Sequence, residues 1–176
     1  CMMFLLTADS SRAARSVIPS AFMRGDLCLG GHYQFEGNAG GEIVACEPPE
    51  QFKVTWGMHG QFSWLTITLA EQGSDRTLLR LEHVAHVPDD MWSEYGPGAV
   101  GVGWDGGLLG LAFLYLSGTG EVTPETAAEW QVGEERQRYT RQSSAAWADA
   151  AIADGTDPEQ AHAAAARTTA FYLGEG

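Results

Sequence analysis

The chain has 176 residues and a formal net charge of -13, from 23 acidic and 10 basic residues. Such a charge repels a phosphate backbone and an anionic membrane surface, so neither nucleic acid nor a membrane is an expected partner. No apolar run reaches the roughly 18 residues that a membrane-spanning helix needs, and the length favours one domain with a core large enough for a cavity.

Three cysteines, Cys1, Cys28 and Cys46, show neither a C-x-x-C spacing nor an even framework. This pattern argues against a disulfide scaffold or a zinc site and favours a reducing cytoplasm. The opening "CMMFLLTADS" lacks the charged segment and cleavage site of a secretory signal. A chain starting at Cys1 is therefore expected to be a fragment or to have a misplaced start, with a lipidated first residue as the alternative.

Residues 31–87 have the spacing of β-structure, with short segments rich in Val, Ile, Thr and aromatic residues between turns that contain glycine or proline. The segments "GHYQFE" and "EIVAC" are expected to form a hairpin through "GNAGG", whose glycines adopt positive φ angles at little cost. After "EPPE" come "QFKVTWGM", "FSWLTITLA" and "RTLLRLEHVAH". Connections this short predict an antiparallel meander.

Alternation along the last of these strands predicts which side chains share a face of the sheet. Leu79, Leu81 and His83 fall on one side, and Arg80 and Glu82 fall on the other. We therefore expect His83 to be mostly buried and Glu82 to be largely exposed.

The hydrophobic period changes after "VPDD". Between residues 98 and 117 the larger side chains recur at steps of three to four residues, which predicts a helix with one apolar face. This stretch contains G-x-G-x-x-G at Gly101, Gly103 and Gly106. A dinucleotide-binding loop needs a parallel βαβ unit around it, whereas an antiparallel meander precedes this one, so we interpret the match as accidental.

Residues 119–176 form an alanine-rich and acidic segment. The pairs Thr123–Pro124 and Asp157–Pro158 are typical of an N-cap followed by a first helical turn. Helices are therefore expected near residues 124–131, 134–153 and 158–172. We interpret the segment as a helical extension of a domain spanning residues 1–118 rather than as a second domain.

The order of "GG-Y-F-E-G", "GGEIVACEPPEQFKVTW", "TLLRLEH" and a "GW" pair opening a long helix resembles the START-like (SRPBCC) superfamily. Within it, the resemblance is to homologues of the activator of heat-shock protein 90 ATPase, over roughly residues 25–117. It implies an α+β helix-grip fold, in which an antiparallel meander wraps around a long C-terminal helix and often encloses an apolar cavity. The alternative is another α+β domain that shares a meander and a helix.

The start of the chain departs from that family. Its members have a first strand and two short helices before the segment that matches "GDLCLGG". Here only 24 residues precede Gly25. The first strand is therefore expected to be missing or reduced to "MMFLL".

A ligand-binding site is expected between the apolar side of the sheet and the helix, and its candidate residues are large apolar side chains with one inward histidine. They are Tyr33, Phe35, Trp56, Met58, Trp64, His83, Trp104 and Leu108. Each also has a structural interpretation, because large aromatic residues usually fill a core and a buried histidine is usually hydrogen-bonded within it.

No metal or other cofactor is expected. His83 and His86 look like a metal-binding pair, but residues three apart on a strand point to opposite faces and cannot chelate one ion together.

Three functions remain open. The first is non-catalytic binding of a small hydrophobic or aromatic molecule. The second, implied by the resemblance to chaperone ATPase activators, is a protein-interaction module whose partner is a chaperone or another protein. The third is an enzyme similar to the polyketide cyclases of the superfamily, for which His83, Glu36 and Tyr33 are the plausible inward polar groups. No paired acid and base, nucleophile motif or metal cluster stands out, so no catalytic residue is assigned and binding is favoured.

Overall fold

The computed structural model describes residues 4–6, 23–25, 28–35, 38–58, 60–116 and 124–175. The chain divides into two compact units, Cys1–His86 and Val87–Gly176. The described part of the first unit is made of strands, and that of the second is made of helices.

The strands of the first unit pair into a single antiparallel sheet. Among the described residues, its strands are β1 (Phe4–Leu6), β2 (Met23–Gly25), β3 (His32–Phe35), β4 (Gly40–Glu47), β5 (Gln51–Met58), β6 (Gln61–Glu71) and β7 (Thr77–Ala85). They lie in the order β1-β7-β6-β5-β4-β3-β2. The predicted meander is confirmed, and β1, which pairs with β7, lies within the "MMFLL" segment expected to hold a reduced first strand.

The two faces of the sheet differ in burial. One face, called the buried face below, carries Tyr33, Ile43, Val54, Leu65 and Leu79, which are all at most 5 % exposed. Their positions agree with the register, because Val54 is paired with Ile43 on β4 and with Leu65 on β6. Paired residues in a ladder point to the same side, so this face is continuous across the sheet.

The opposite face, called the exposed face below, is formed by the residues that alternate along each strand with those of the buried face. It carries Phe62, Trp64, Arg80, Glu82 and Val84. On β7 the predicted alternation is confirmed, because Glu82 is exposed and His83 lies on the side of Leu79. His83 is half-buried, whereas we expected it to be mostly buried.

The second unit contains, in its described residues, α1 (Asp89–Tyr95), α2 (Gly98–Leu116), α3 (Pro124–Val132), α4 (Glu134–Ala153) and α5 (Pro158–Leu173). These bounds confirm the predicted helices to within one residue. The expected cap of α5 is also present, since the carboxylate of Asp157 accepts a hydrogen bond of 3.0 Å from the Gln160 amide. Thr123, the other expected cap, lies outside the described residues.

Helices α4 and α5 pack through small side chains. Ala148, Ala151 and Ala161 are buried together, and Ile152 and Ala165 pack against them. Small residues allow the two backbones to approach closely, while a short loop connects the helices. In that loop Gly155 has a φ of 101°, a conformation that favours glycine.

The glycines of α2 receive aromatic side chains from α4 and α5. A Cβ added at Gly101 would collide with the indole ring of Trp147. Cβ atoms added at Gly103 and Gly106 would lie 3.0 Å from Tyr172 Oη and 3.2 Å from Tyr139 Oη. All three residues of the G-x-G-x-x-G match are helical and serve packing, which confirms that the match is not a phosphate-binding loop.

Hydrogen bonds from tyrosines reinforce this packing. Tyr139 Oη donates to the carbonyl of Val102 over 2.5 Å, and Tyr172 Oη donates to the carbonyl of Ala99 over 2.9 Å. Burial raises the pKa of both phenols, so they remain protonated donors at neutral pH.

Two expectations about architecture stay predictions. One is the domain boundary at residue 118, and the other is the packing of residues 98–117 across the concave face of the sheet. Among the described helices, none combines the length and the apolar character required to cross a bilayer.

Candidate functional site

Four ring side chains meet on the buried face of the sheet. The ring centroids of Phe35 and Trp56 are 5.6 Å apart, and those of Tyr33 and Phe35 are 5.7 Å apart. The ring centroid of Trp56 is also 6.4 Å from that of Tyr33 and 6.4 Å from that of His83. These separations are in the range of favourable aromatic pairs, so the rings form one connected group, called the ring cluster below.

Small residues on the strands between them allow these rings to meet. Tyr33 and Phe35 are on β3, Trp56 is on β5, and the intervening β4 segment offers Ala39 before it and Gly41 within it. Gly41 is paired with Tyr33, and a Cβ there would collide with Thr55. Gly41 is therefore required for the close approach to Thr55, and it places no side chain beside Tyr33 on the buried face.

A hydrogen-bonded chain lies at one end of the ring cluster. His83 Nε2 is 2.8 Å from Ser63 Oγ, and the Ser63 hydroxyl donates to the carbonyl of Trp56 over 2.9 Å. Since Ser63 has a single proton and gives it to that carbonyl, its oxygen accepts from His83. The neutral imidazole therefore carries its proton on Nε2.

Burial favours the neutral form of His83. Its pKa is lowered from the ordinary histidine value because the charged ring is partly removed from water. Ser63 is only 8 % exposed. The polar end of the ring cluster is thus an uncharged histidine and serine pair at neutral pH.

Tyr33 contributes an apolar ring. Its hydroxyl donates to the backbone carbonyl of Thr55 over 2.7 Å, and burial raises its pKa to about 12. A phenol with this pKa stays protonated through the physiological range. The single proton of the hydroxyl is used within the sheet, and the buried ring of Tyr33 is an apolar member of the cluster.

The structure brings together four of the eight candidate residues, namely Tyr33, Phe35, Trp56 and His83. Met58 follows Trp56 on the same face by alternation and is 44 % exposed. Trp104 and Leu108 lie on α2 in the second unit and are half-buried.

The grouping of Trp64 with Trp56 is corrected by the register. Trp64 is paired with Thr55 on β5 and with Val84 on β7, both of which lie on the exposed face. Since paired residues point to one side, Trp64 and Trp56 are on opposite faces of the sheet and cannot line the same surface. Of the polar groups named for an enzyme, Glu36 lies outside the described residues.

The exposed face carries an apolar patch around Trp64. Phe62 is 73 % exposed, Trp64 is 47 % exposed and Val84 is 52 % exposed. Next to it, Arg80 and Glu82 form an ion pair of 3.2 Å. The side chains of Phe62, Trp64 and Val84 are together called the Trp64 patch below.

Sequence reasoning did not single out Ser63 or Asp105. Ser63 could have been found because it shares its parity on β6 with Leu65 and Ile67, which places a polar residue directly beside an apolar run on the buried face. Asp105 is the sole charged residue of α2 and is 7 % exposed.

The carboxylate of Asp105 joins α2 to α4. It accepts a hydrogen bond of 2.5 Å from Ser143 Oγ and one of 3.0 Å from Trp147 Nε1. Asp105 is therefore a buried acid whose hydrogen bonds connect two packed helices. Within the described part of the chain, no group of three or more His, Cys, Asp or Glu residues could hold a metal ion.

Comparison with known proteins identifies relatives of this chain. The protein family described as "Activator of Hsp90 ATPase homolog 1-like protein" matches residues 14–112. The crystal structure of CalU16 from Micromonospora echinospora is 30% identical, with a TM-score of 0.56 and coverage of 84% of each chain. The solution structure of CalU16 is 31% identical with a TM-score of 0.57, covering 85% of this chain and 78% of that one.

A further structure, an HSP90 activator from Plasmodium falciparum, is 18% identical with a TM-score of 0.45, covering 66% of this chain and 97% of that one. None of the curated proteins matches the chain.

Proposed function

Because the chain belongs to the family of activator of Hsp90 ATPase homolog 1-like proteins and has an α+β fold of the helix-grip, START-like class, we propose that it binds a small hydrophobic or aromatic ligand without transforming it. The site is the ring cluster on the buried face of the sheet. The setting we propose for it is the cytoplasm.

The ring cluster is the observation that carries this proposal. The ring centroid of Phe35 is 5.7 Å from that of Tyr33 and 5.6 Å from that of Trp56. The hydrogen-bonded pair of His83 and Ser63 lies next to Trp56. Pockets for small molecules commonly combine apolar walls with a few placed polar groups. An aromatic ligand would pack against Phe35 and Trp56, while the histidine and serine end would orient a polar substituent.

The hydrogen bonds of the two hydroxyl groups support binding over catalysis. Ser63 and His83 have the spacing of a nucleophile and its base, but a serine is activated when its proton passes to the histidine. Here that proton is donated to the carbonyl of Trp56, and the Tyr33 proton is donated to the carbonyl of Thr55. Neither hydroxyl is arranged to be deprotonated.

A fluorescence titration tests the proposal. With 2-naphthol as the probe, we expect a saturable change in tryptophan emission. Trp56→Leu should weaken the affinity at least tenfold, and Trp64→Leu, on the adjacent strand and the opposite face, should leave it within twofold. His83→Ala should reduce the preference for 2-naphthol over naphthalene.

Two outcomes would contradict non-catalytic binding. Absence of saturable binding across a library of planar hydrophobic compounds would reject the ligand site. Conversion of a bound compound over time, lost in His83→Ala, would replace the proposal with a cyclase-like enzyme.

A second candidate function is binding to a chaperone or another protein, favoured by the Trp64 patch. Phe62, Trp64 and Val84 are exposed on one face of the sheet, and contiguous apolar side chains on a surface often mark a protein contact. Purified Hsp90 is the partner to test, in view of the family description. Loss of binding in Trp64→Glu, with binding retained in Trp56→Leu, would support this function.

A further inference from the structure

A small, partly open cavity lies in the helical unit and is lined by residues of that unit alone. It has a volume of about 20 Å³ and is bounded by the turn between α1 and α2, by α4, and by α5 with the loop before it. Its lining includes Gly96, Gly98, Ser144, Ala148, Thr156 and Gln160.

Ser144 is a buried polar residue in the lining of this cavity. Its side chain is 1 % exposed, and its Oγ has no hydrogen-bond partner among the described residues. A buried hydroxyl that has left water without gaining a partner is unfavourable, and native proteins rarely leave such groups unpaired. The neighbouring Ser143 differs, because it donates to Asp105.

We propose that the cavity is a binding site for one water molecule, held by the hydroxyl of Ser144. A cavity needs roughly 10–15 Å³ to accommodate a water, so about 20 Å³ is enough for one. An apolar guest of that size would leave Ser144 unpaired.

The lining offers further partners for this water. A buried water usually makes two to four hydrogen bonds. Thr156 precedes the cap of α5 and Gln160 is in the first turn of α5. Both residues line the cavity, and their side chains can donate and accept hydrogen bonds. A water bonded to Ser144 and to one of them bridges α4 to the start of α5. This site does not depend on the proposed ligand-binding function.

The alternative is a direct bond within α4. A serine in a helix can donate to the carbonyl four residues earlier, which here belongs to Thr140. That bond is not formed in this structure. The two arrangements predict different results in one experiment.

Water-to-amide cross-relaxation measured by NMR on the full chain tests the site. A long-lived buried water should give cross-peaks to the amide protons of Ser144 and Ala148. We expect these peaks in the wild type and in Gln142→Ala, a control at an exposed position of α4 that does not line the cavity. They should be lost in Ser144→Ala.

Absence of the cross-peaks in the wild type would overturn the proposal in favour of the direct bond to Thr140. Cross-peaks that persist in a folded Ser144→Ala would overturn the assignment to Ser144. Should Ser144→Ala fail to fold, a high-resolution crystal structure of the wild type decides, by a water peak about 2.6–3.2 Å from Ser144 Oγ or by its absence.

Discussion

His83 Nε2 on β7 lies 2.8 Å from Ser63 Oγ on the paired strand β6, and the Ser63 hydroxyl donates a hydrogen bond to the carbonyl of Trp56. The imidazole is thereby fixed as a donor at Nε2 and placed against the ring of Trp56. The hydrogen bond to Ser63 therefore favours the tautomer protonated at Nε2.

The first prediction concerns the titration of His83. Burial lowers its pKa, so NMR titration of the ring should place the pKa below the ordinary value of about 6.5. The nitrogen shifts of the neutral ring should identify Nε2 as the protonated atom. A pKa at or above the ordinary value, or a proton on Nδ1, would contradict the hydrogen-bonded chain.

The same shift predicts how stability depends on pH. The unfolded chain takes up a proton near pH 6.5, whereas folded His83 takes it up at a lower pH, so between the two values the unfolded state binds more protons. The contribution of neutral His83 to stability is complete above about pH 6.5 and is lost as the pH falls through the folded pKa. Urea unfolding of wild type and His83→Gln at several pH values should show a shallower loss on acidification in the variant. Equal pH slopes in the two proteins would reject this contribution.

The second prediction compares two glycines of α2. Gly101→Ala adds a methyl group against the indole of Trp147, and overpacking of this kind costs about 1–3 kcal/mol. Gly107→Ala adds the same methyl group to open space and should stabilise the helix by up to about 1 kcal/mol. Urea midpoints of the two variants should therefore move in opposite directions, and a rise in both would show that Trp147 does not occupy the space beside Gly101.

The third prediction concerns the buried carboxylate. Asp105→Ala removes the acceptor of Ser143 and Trp147, and leaving buried donors unpaired costs about 1–3 kcal/mol. Asp149→Ala, on an exposed position of α4, is the matched control and should change the free energy of unfolding by less than about 0.5 kcal/mol. Equal effects of the two substitutions would show that the hydrogen bonds to Asp105 do not stabilise the helical unit.

The sequence was sufficient for the strands from β3 to β7 and for the helices from α2 to α5, because local rules determine them, whereas β2 and α1 were not predicted. Prolines, glycines and alternation mark the strands from β3 to β7, and the Asp157–Pro158 pair marks the start of α5. The face on which His83 lies follows from the alternation along β7, because Arg80 and Glu82 occupy the other face. These signals lie within a few residues of one another along the chain.

The composition of the site was harder to predict because it depends on register between strands. In "FSWLTITLA" both parities contain apolar residues, so alternation alone does not say whether Trp64 or Leu65 is buried. The pairing of Leu65 with Val54 decides this, and it is a contact between strands. Likewise, the glycines of α2 indicate close packing but do not identify Trp147, which lies more than forty residues later, as the side chain that packs there.

The measurement that tests the central claim most directly is a set of intermolecular NOEs between 2-naphthol and the protein. Ligand binding at the ring cluster predicts NOEs from the naphthol ring protons to the side chains of Phe35 and Trp56, and to the ring of His83. NOEs confined to Phe62 and Trp64 on the exposed face, or no NOEs at saturating 2-naphthol, would contradict the account.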